Sequence, residues 1–167
     1  MEPIKTILHP TDFSRHSQHA LRLACALARE QNARLIILHC VPPEAAVVVG
    51  PEVSALRRAE CYQQDLNSYR DEMANKLEQL PVSGLRSRPE RLLKEGDAAT
   101  VILHTAQDAS CDLVVMGTHG RTGAIRKLMG SVAEEVSQKA LCPVVTVKVP
   151  LAEPKPVEET EEAEVVF

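Results

Sequence analysis

At 167 residues the chain is long enough for one domain with a full core and too short for two comfortable ones. Hydrophobic residues make up 44% but aromatics only 2%, so the core is aliphatic and alanine-rich, which favours helices packed on a sheet over an aromatic-rich β-sandwich. The net charge of −4 is concentrated in the tail 150–167, where six Glu face Lys155; residues 1–149 carry 18 cations against 17 anions, a balance that argues against nucleic acid as a partner.

The run "IKTILH" predicts a short first strand ending at Pro10. "SRHSQHALRLACALAREQNA" follows as a helix, with Leu21, Ala24, Cys25 and Ala28 on one face and Ser14 or Ser17 as its cap. "ARLIILHCV" is a buried strand stopped by Pro42-Pro43, and "VVVGPEVS" is a surface loop. "ALRRAECYQQDLNSYRDEMANKLEQL" is a long polar-faced helix, with Ala59, Tyr62, Leu66, Tyr69, Met73 and Leu77 inward. Within "VSGLRSRPERLLKEG" the pattern predicts a weak third strand, which Pro89 confines to an edge. Asp97 then caps a helix with Ala98, Ile102 and Ala106 inward, and "CDLVVMG" is a buried strand. A last helix opens at Ser131, with Glu134 and Glu135 early and Lys139 late, as its dipole prefers. "CPVVTVKV" closes the chain's regular structure as a final strand.

Strand and helix alternate at the spacing of right-handed βαβ crossovers. The predicted fold class is therefore α/β, a doubly wound parallel sheet covered on both faces. The expected organisation is one domain over 1–149 and an acidic tail over 150–167, the latter with the composition of a solvated segment. The tail's apolar end, Val165-Val166-Phe167, suits a groove or a partner.

The five cysteines are odd in number, scattered and without C-x-x-C, so they read as small core residues in a reducing compartment. The opening "MEPIKTILHPTD" has no apolar signal region and no run reaches membrane length, so a cytoplasmic protein without a membrane partner is expected.

Ligands of open parallel sheets sit beyond the carboxyl ends of strands, where the strand order reverses. Two such ends carry unusual chemistry here. One is "HPTDFS", with Asp12 on a turn begun by Pro10 and Thr11. The other is "MGTHGRTGAIRKLMGS", where Gly117, Gly120 and Gly130 accompany Ser131 and the cations Arg121, Arg126 and Lys127. Facing each other, a carboxylate and a ring of glycine amides suit ribose hydroxyls and phosphates. The usual phosphate loop is absent, because Thr122 stands five residues after Gly117 and Gly130 precedes Ser131. Alternatives remain at each position. Asp12 also suits a helix cap, the glycines suit plain turns, and His119 suits either a pocket wall or a base. His9 and His39 read as core or rim residues, since no carboxylate cluster accompanies them.

The spacing Gly117-x-x-Gly120, nine residues, Gly130-Ser131 is similar to the nucleotide motif of the universal stress proteins. "ILHPTDFS", "LHCV", "CDLVVMGTHGR" and "CPVVTVKV" resemble the opening turn and strand ends of that family, over roughly residues 3–149. The resemblance implies a three-layer sandwich of the adenine nucleotide α-hydrolase-like kind, with a five-stranded parallel sheet in the order 3-2-1-4-5. It implies that Pro10, Thr11 and Asp12 line the adenosine end, that Val41 meets adenine, and that Met116, Gly117, Thr118, His119, Gly120, Arg121, Gly130, Ser131 and Val132 hold ribose and phosphates. ATP, or AMP or ADP, would bind with Mg²⁺ or Mn²⁺ held through the phosphates. A homodimer through residues 143–149 is implied as well, and an exposed apolar edge strand gives an independent reason to expect one. The expected function is an ATP-binding regulatory protein of stress response. A slow ATPase or phosphotransferase, and a nucleotide-independent interaction module, are the alternatives.

Overall fold

A computed structural model describes residues 3–42, 55–118 and 129–149, with side chains left out over 55–66. Nine elements follow in chain order: β1 (Thr6–Pro10), α1 (Arg15–Gln31), β2 (Arg34–Val41), α2 (Ala55–Glu78), β3 (Glu90–Glu95), α3 (Ala98–Asp108), β4 (Leu113–Gly117), α4 (Ser131–Lys139) and β5 (Val144–Val147). The loop "VVVGPEVS" and the tail 150–167 lie outside the described residues, as do the side chains of Ala59, Tyr62 and Leu66.

All strand pairs are parallel and the sheet runs β3-β2-β1-β4-β5, the order that the family resemblance implies. The order reverses between β1 and β4, so their carboxyl ends flank the crevice.

Side chains alternate across the sheet and divide the core in two. Ile7, Leu35, Ile37, Leu113 and Val115 pack with Ala20, Leu21, Ala24, Ala28 and Leu77, which come from α1 and α2. On the opposite face, Leu8, Ile36, Leu38, Val114 and Met116 pack with Ala99, Ile102, Ala106, Ala133 and Val136 from α3 and α4. Small residues on the helices let them settle closely on a β-branched and leucine-rich sheet, which is how a core with almost no aromatics fills its volume. α3 is rotated slightly from expectation: Ala99 rather than Ala98 is buried with Ile102 and Ala106. Ala98 instead faces the crevice.

Ser14 caps α1, its Oγ accepting from the Ser17 amide at 3.2 Å, and Asp97 caps α3 by accepting from Thr100 N at 3.0 Å. β3 begins directly after Pro89 and lies at the edge, where a residue without an N–H does no harm. Arg91 on β3 donates from Nε to the Leu77 carbonyl at 2.9 Å and from Nη2 to the Leu80 carbonyl at 3.1 Å, satisfying the end of α2. Among the described residues no helix is long and apolar enough to cross a membrane.

Candidate functional site

The turn after β1 is built around Thr11. Its amide donates to the Leu38 carbonyl at 2.8 Å, tying the turn to β2. Its hydroxyl oxygen accepts from Ser17 Oγ at 2.7 Å and from the Phe13 amide at 3.1 Å, and its carbonyl accepts from His39 Nδ1 at 2.7 Å. Phe13 takes left-handed backbone, φ 64°, and its ring rests 4.5 Å from that of His39. A non-glycine residue holds this conformation only where its surroundings fix it. Asp12 Oδ1 accepts from the Ser14 amide at 3.0 Å, closing an Asx turn that aims the half-buried carboxylate. The cap of α1 is thus Ser14 rather than Asp12.

The second wall comes from β4. An added Cβ on Gly117 would stand 2.9 Å from the backbone carbon of His16 and 3.0 Å from the amide nitrogen of Ser17. Glycine at 117 is therefore required by the packing of β4 against the start of α1. Thr118 donates its amide to Val147 O at 3.0 Å and accepts from the Gly130 amide at 2.7 Å. These bonds bring Gly130 back beside β4 and start α4 there. The cap residue of α4 is Gly130, and no side chain among the described residues bonds to the helix's first amides. Such an end presents amide donors that need partners and the positive end of the helix dipole.

Between the two walls lies a cleft of about 220 Å³. It brings together nine of the thirteen residues expected from the sequence: Pro10, Thr11, Asp12, Met116, Gly117, Thr118, Gly130, Ser131 and Val132. Val41 is 3% exposed and is not on the cleft wall. His119, Gly120 and Arg121 lie outside the described residues, as do Arg126 and Lys127. Sequence reasoning missed Leu38, His39 and Cys40 from β2, and Ala98 and Ile102 from α3. The adjacency of β2 to β1 carried the first signal, and the Asp97 cap, which starts α3 at this end of the sheet, carried the second.

The floor is chemically quiet. His9 is wholly buried and donates from Nδ1 to the Val115 carbonyl at 2.8 Å. Burial lowers its pKa to about 4 against the smaller opposing pulls of that bond and of Asp12, so the ring is neutral at pH 7. Burial, with Asp97 nearby, pushes the Cys40 thiol up to about 11, so it stands protonated at pH 7 as a small part of the wall. No group of three or more His, Cys, Asp or Glu that could hold a metal occurs among the described residues. The cleft thus offers one carboxylate, a run of backbone donors and an apolar pocket between them.

Comparison with known proteins agrees with this architecture. The model of the universal stress protein family matches residues 3–148. A universal stress protein of Methanocaldococcus jannaschii is 35% identical over 150 residues, covering 89% of this chain and 85% of its own. The solved structure of the protein MJ0577, from the same organism, superposes with a TM-score of 0.76 at 27% identity, covering 90% of this chain and all of that one. A universal stress protein in complex with cAMP superposes with a TM-score of 0.57 at 21% identity, covering 88% of this chain and 98% of that one, and shares the fold. With the sheet order, the paired loops and a family match over nearly all the described residues, this chain belongs to the universal stress protein family.

Proposed function

We propose that the cleft binds an adenine nucleotide and that the protein acts in stress response through nucleotide-dependent conformation or partner binding. The observation that carries this reading is the convergence of the Asp12 carboxylate and the start of α4, whose cap residue Gly130 has no side chain, on one cleft. A carboxylate accepts from ribose hydroxyls and helix-start amides donate to phosphate oxygens, and a nucleotide carries both groups. The apolar stretch formed by Leu38, Cys40, Ile102 and Met116 suits the base. The cAMP complex of a protein with this fold lends support to the ligand class.

In this reading Pro10, Thr11 and Asp12 serve the adenosine end, and Met116–Thr118 with Gly130, Ser131 and Val132 serve ribose and phosphates. His119, Gly120 and Arg121 complete the phosphate side. Val41 contributes from behind the wall residues. Mg²⁺ or Mn²⁺ accompanies the nucleotide through its phosphates. Residues 1–149 form the binding domain, 150–167 a separate acidic tail, and the setting is cytoplasmic. The β5 edge, half-buried and rich in valine, pairs with a second copy.

Calorimetric titration of nucleotide-free protein with ATP, ADP and AMP in the presence of Mg²⁺ tests the ligand. Micromolar binding, weakened at least tenfold by Asp12→Ala and by Gly130→Asp, is expected. No heat with any of the three would remove the nucleotide reading. Release of phosphate at more than a trace rate in the same samples would replace a regulatory protein by an ATPase.

A further inference from the structure

A second cavity of about 220 Å³ lies at the amino end of the sheet, away from the cleft, between the last turn of α3 and the segment that joins α4 to β5. Two thiols stand on its wall, Cys111 and Cys142, beside Leu103, Ala106 and Ala140. Both cysteines are reduced; Cys111 is buried and Cys142 half-buried. They precede neighbouring strands. Val114 pairs with Val144, and the Val114 amide donates to the Pro143 carbonyl at 3.0 Å, so the alignment of the two chain segments extends down to Cys142. Both side chains leave the sheet on the same side, since both pack in the cluster formed with α3 and α4.

The two sulfurs also sense each other. Burial pushes the Cys111 thiol up to about 11, and the neighbouring Cys142 is the next cause. The remaining described thiols are placed elsewhere. Cys25 packs under α1 on the opposite face of the sheet, and Cys40 lines the nucleotide cleft. Among the described residues, only Cys111 and Cys142 share a cavity.

We infer that Cys111 and Cys142 form an oxidative modification site, closing to an intramolecular disulfide with hydrogen peroxide as the oxidant. The less buried Cys142 reacts first. Its thiolate attacks one peroxide oxygen; the S–O bond forms, the O–O bond breaks, and the departing hydroxide takes up the proton the thiol released and leaves as water. The Cys111 sulfur then attacks the sulfenic sulfur of Cys142. The S–S bond forms, the S–O bond breaks, and the hydroxide leaves with the Cys111 proton as a second water. Two thiols lose two electrons in all, and one peroxide becomes two waters.

Burial shapes the kinetics. Both thiols are held in the protonated form, so the first attack is slower than that of free cysteine. The same feature makes each sulfur a poor leaving group, so the closed disulfide resists reduction. The covalent ring spans β4, Gly130 and α4, which is the phosphate side of the cleft.

The test treats the full chain with hydrogen peroxide, removes the oxidant, unfolds the chain in guanidinium chloride so that buried thiols are reached, blocks remaining thiols with N-ethylmaleimide, and reads intact mass and cross-linked peptides. Two of the five thiols are expected to lose their label, with one peptide pair joining Cys111 to Cys142 and both labels restored by dithiothreitol. In Cys111→Ala the cross-link is absent and dimedone traps a sulfenic acid at Cys142. Cys142→Ala leaves Cys111 labelled after the same exposure. Full labelling of Cys111 and Cys142 after peroxide that consumes free cysteine many times over would overturn the inference. So would pairing of either residue with another cysteine or another chain, or direct passage of Cys142 to a sulfinic acid in the unmodified protein.

Discussion

The Gly130 amide donates to the Thr118 carbonyl at 2.7 Å, so the chain leaves β4 and returns to the same spot to begin α4. Through the Thr118 amide this junction is also bonded to Val147 on the edge strand. The two glycines beside it have different physical tasks. Gly117 is forced by the nearness of His16, whereas Gly130 has extended backbone, φ −71° and ψ 155°, that any residue adopts.

Gly130→Asp is accordingly expected to stabilise the fold and abolish nucleotide binding together. An aspartate at the cap position accepts from the free amides of α4 and favours its dipole, a gain of about 0.5–1 kcal/mol. The same carboxylate repels phosphate from those amides. Urea unfolding and calorimetry on one preparation check both halves, and a destabilised variant would contradict the cap geometry.

Gly117→Ala is expected to act the other way round. The methyl group meets backbone atoms, which cannot rotate aside, so a loss of about 1–3 kcal/mol in unfolding free energy follows. A variant as stable as the parent would show that α1 yields at His16.

The buried His9 makes stability depend on pH. Its pKa falls from 6.5 in the unfolded chain to about 4 in the fold, so the unfolded state binds more protons between those values. Stability is full above pH 6.5, falls through the window between the two, and levels off below pH 4. A loss of about 2 kcal/mol between pH 7 and pH 5 is expected from this group. His9→Gln flattens that stretch of the profile. Asp97 and Asp112 contribute at lower pH: backbone and side-chain donors hold their pKa values below 3.8, so their stabilisation is present above that value and is lost as pH falls further. Denaturant midpoints measured from pH 3 to 8 separate the two effects.

Thr146→Pro tests the pairing of β5 with a second copy. The Val114 and Thr118 amides reach the carbonyls of Pro143 and Val147, so alternation turns the odd residues of β5 toward β4 and the Thr146 N–H outward. Proline there removes an outward donor and spares the internal ladder. Sedimentation is expected to show a dimer for the parent and a monomer for the variant. A monomeric parent would refute edge pairing.

Arg91→Lys examines how α2 ends. The guanidinium bonds two carbonyls, Leu77 and Leu80, with its fixed fork, which the single ammonium of a shorter side chain does not reproduce. A loss of about 1–2 kcal/mol is expected, read by urea unfolding. No change would mean that water satisfies the helix end equally well.

The alternation of strands and helices was legible in the chain because burial on both faces leaves long apolar runs such as "LIIL" and "LVVM", and helices leave a 3–4 spacing. Asp12 and the Gly130-Ser131 pair were legible for a similar reason, since the chemistry they supply is local and needs only a turn and a helix start. Less legible was β3. Pro89 and the basic residues around it mask the strand signal, and the strand forms because Arg91 and its neighbours find partners on α2 and β2. Val41 is a different case. Its position after "LHC" is adjacent to the cleft in sequence, but the wall is made by Leu38, His39 and Cys40.

By itself, then, the amino-acid order determined the class of fold, the two strand ends that meet at the cleft and the family to which the chain belongs, because periodicity, turn residues and motif spacing are properties of short segments. Only the tertiary structure decided why Gly117 has no side chain, which thiols share a cavity, and which face of α3 looks into the cleft. Each of those depends on residues distant in the chain coming together, as His16 meets Gly117 and Cys142 shares a cavity with Cys111, and no local pattern encodes a meeting of that kind.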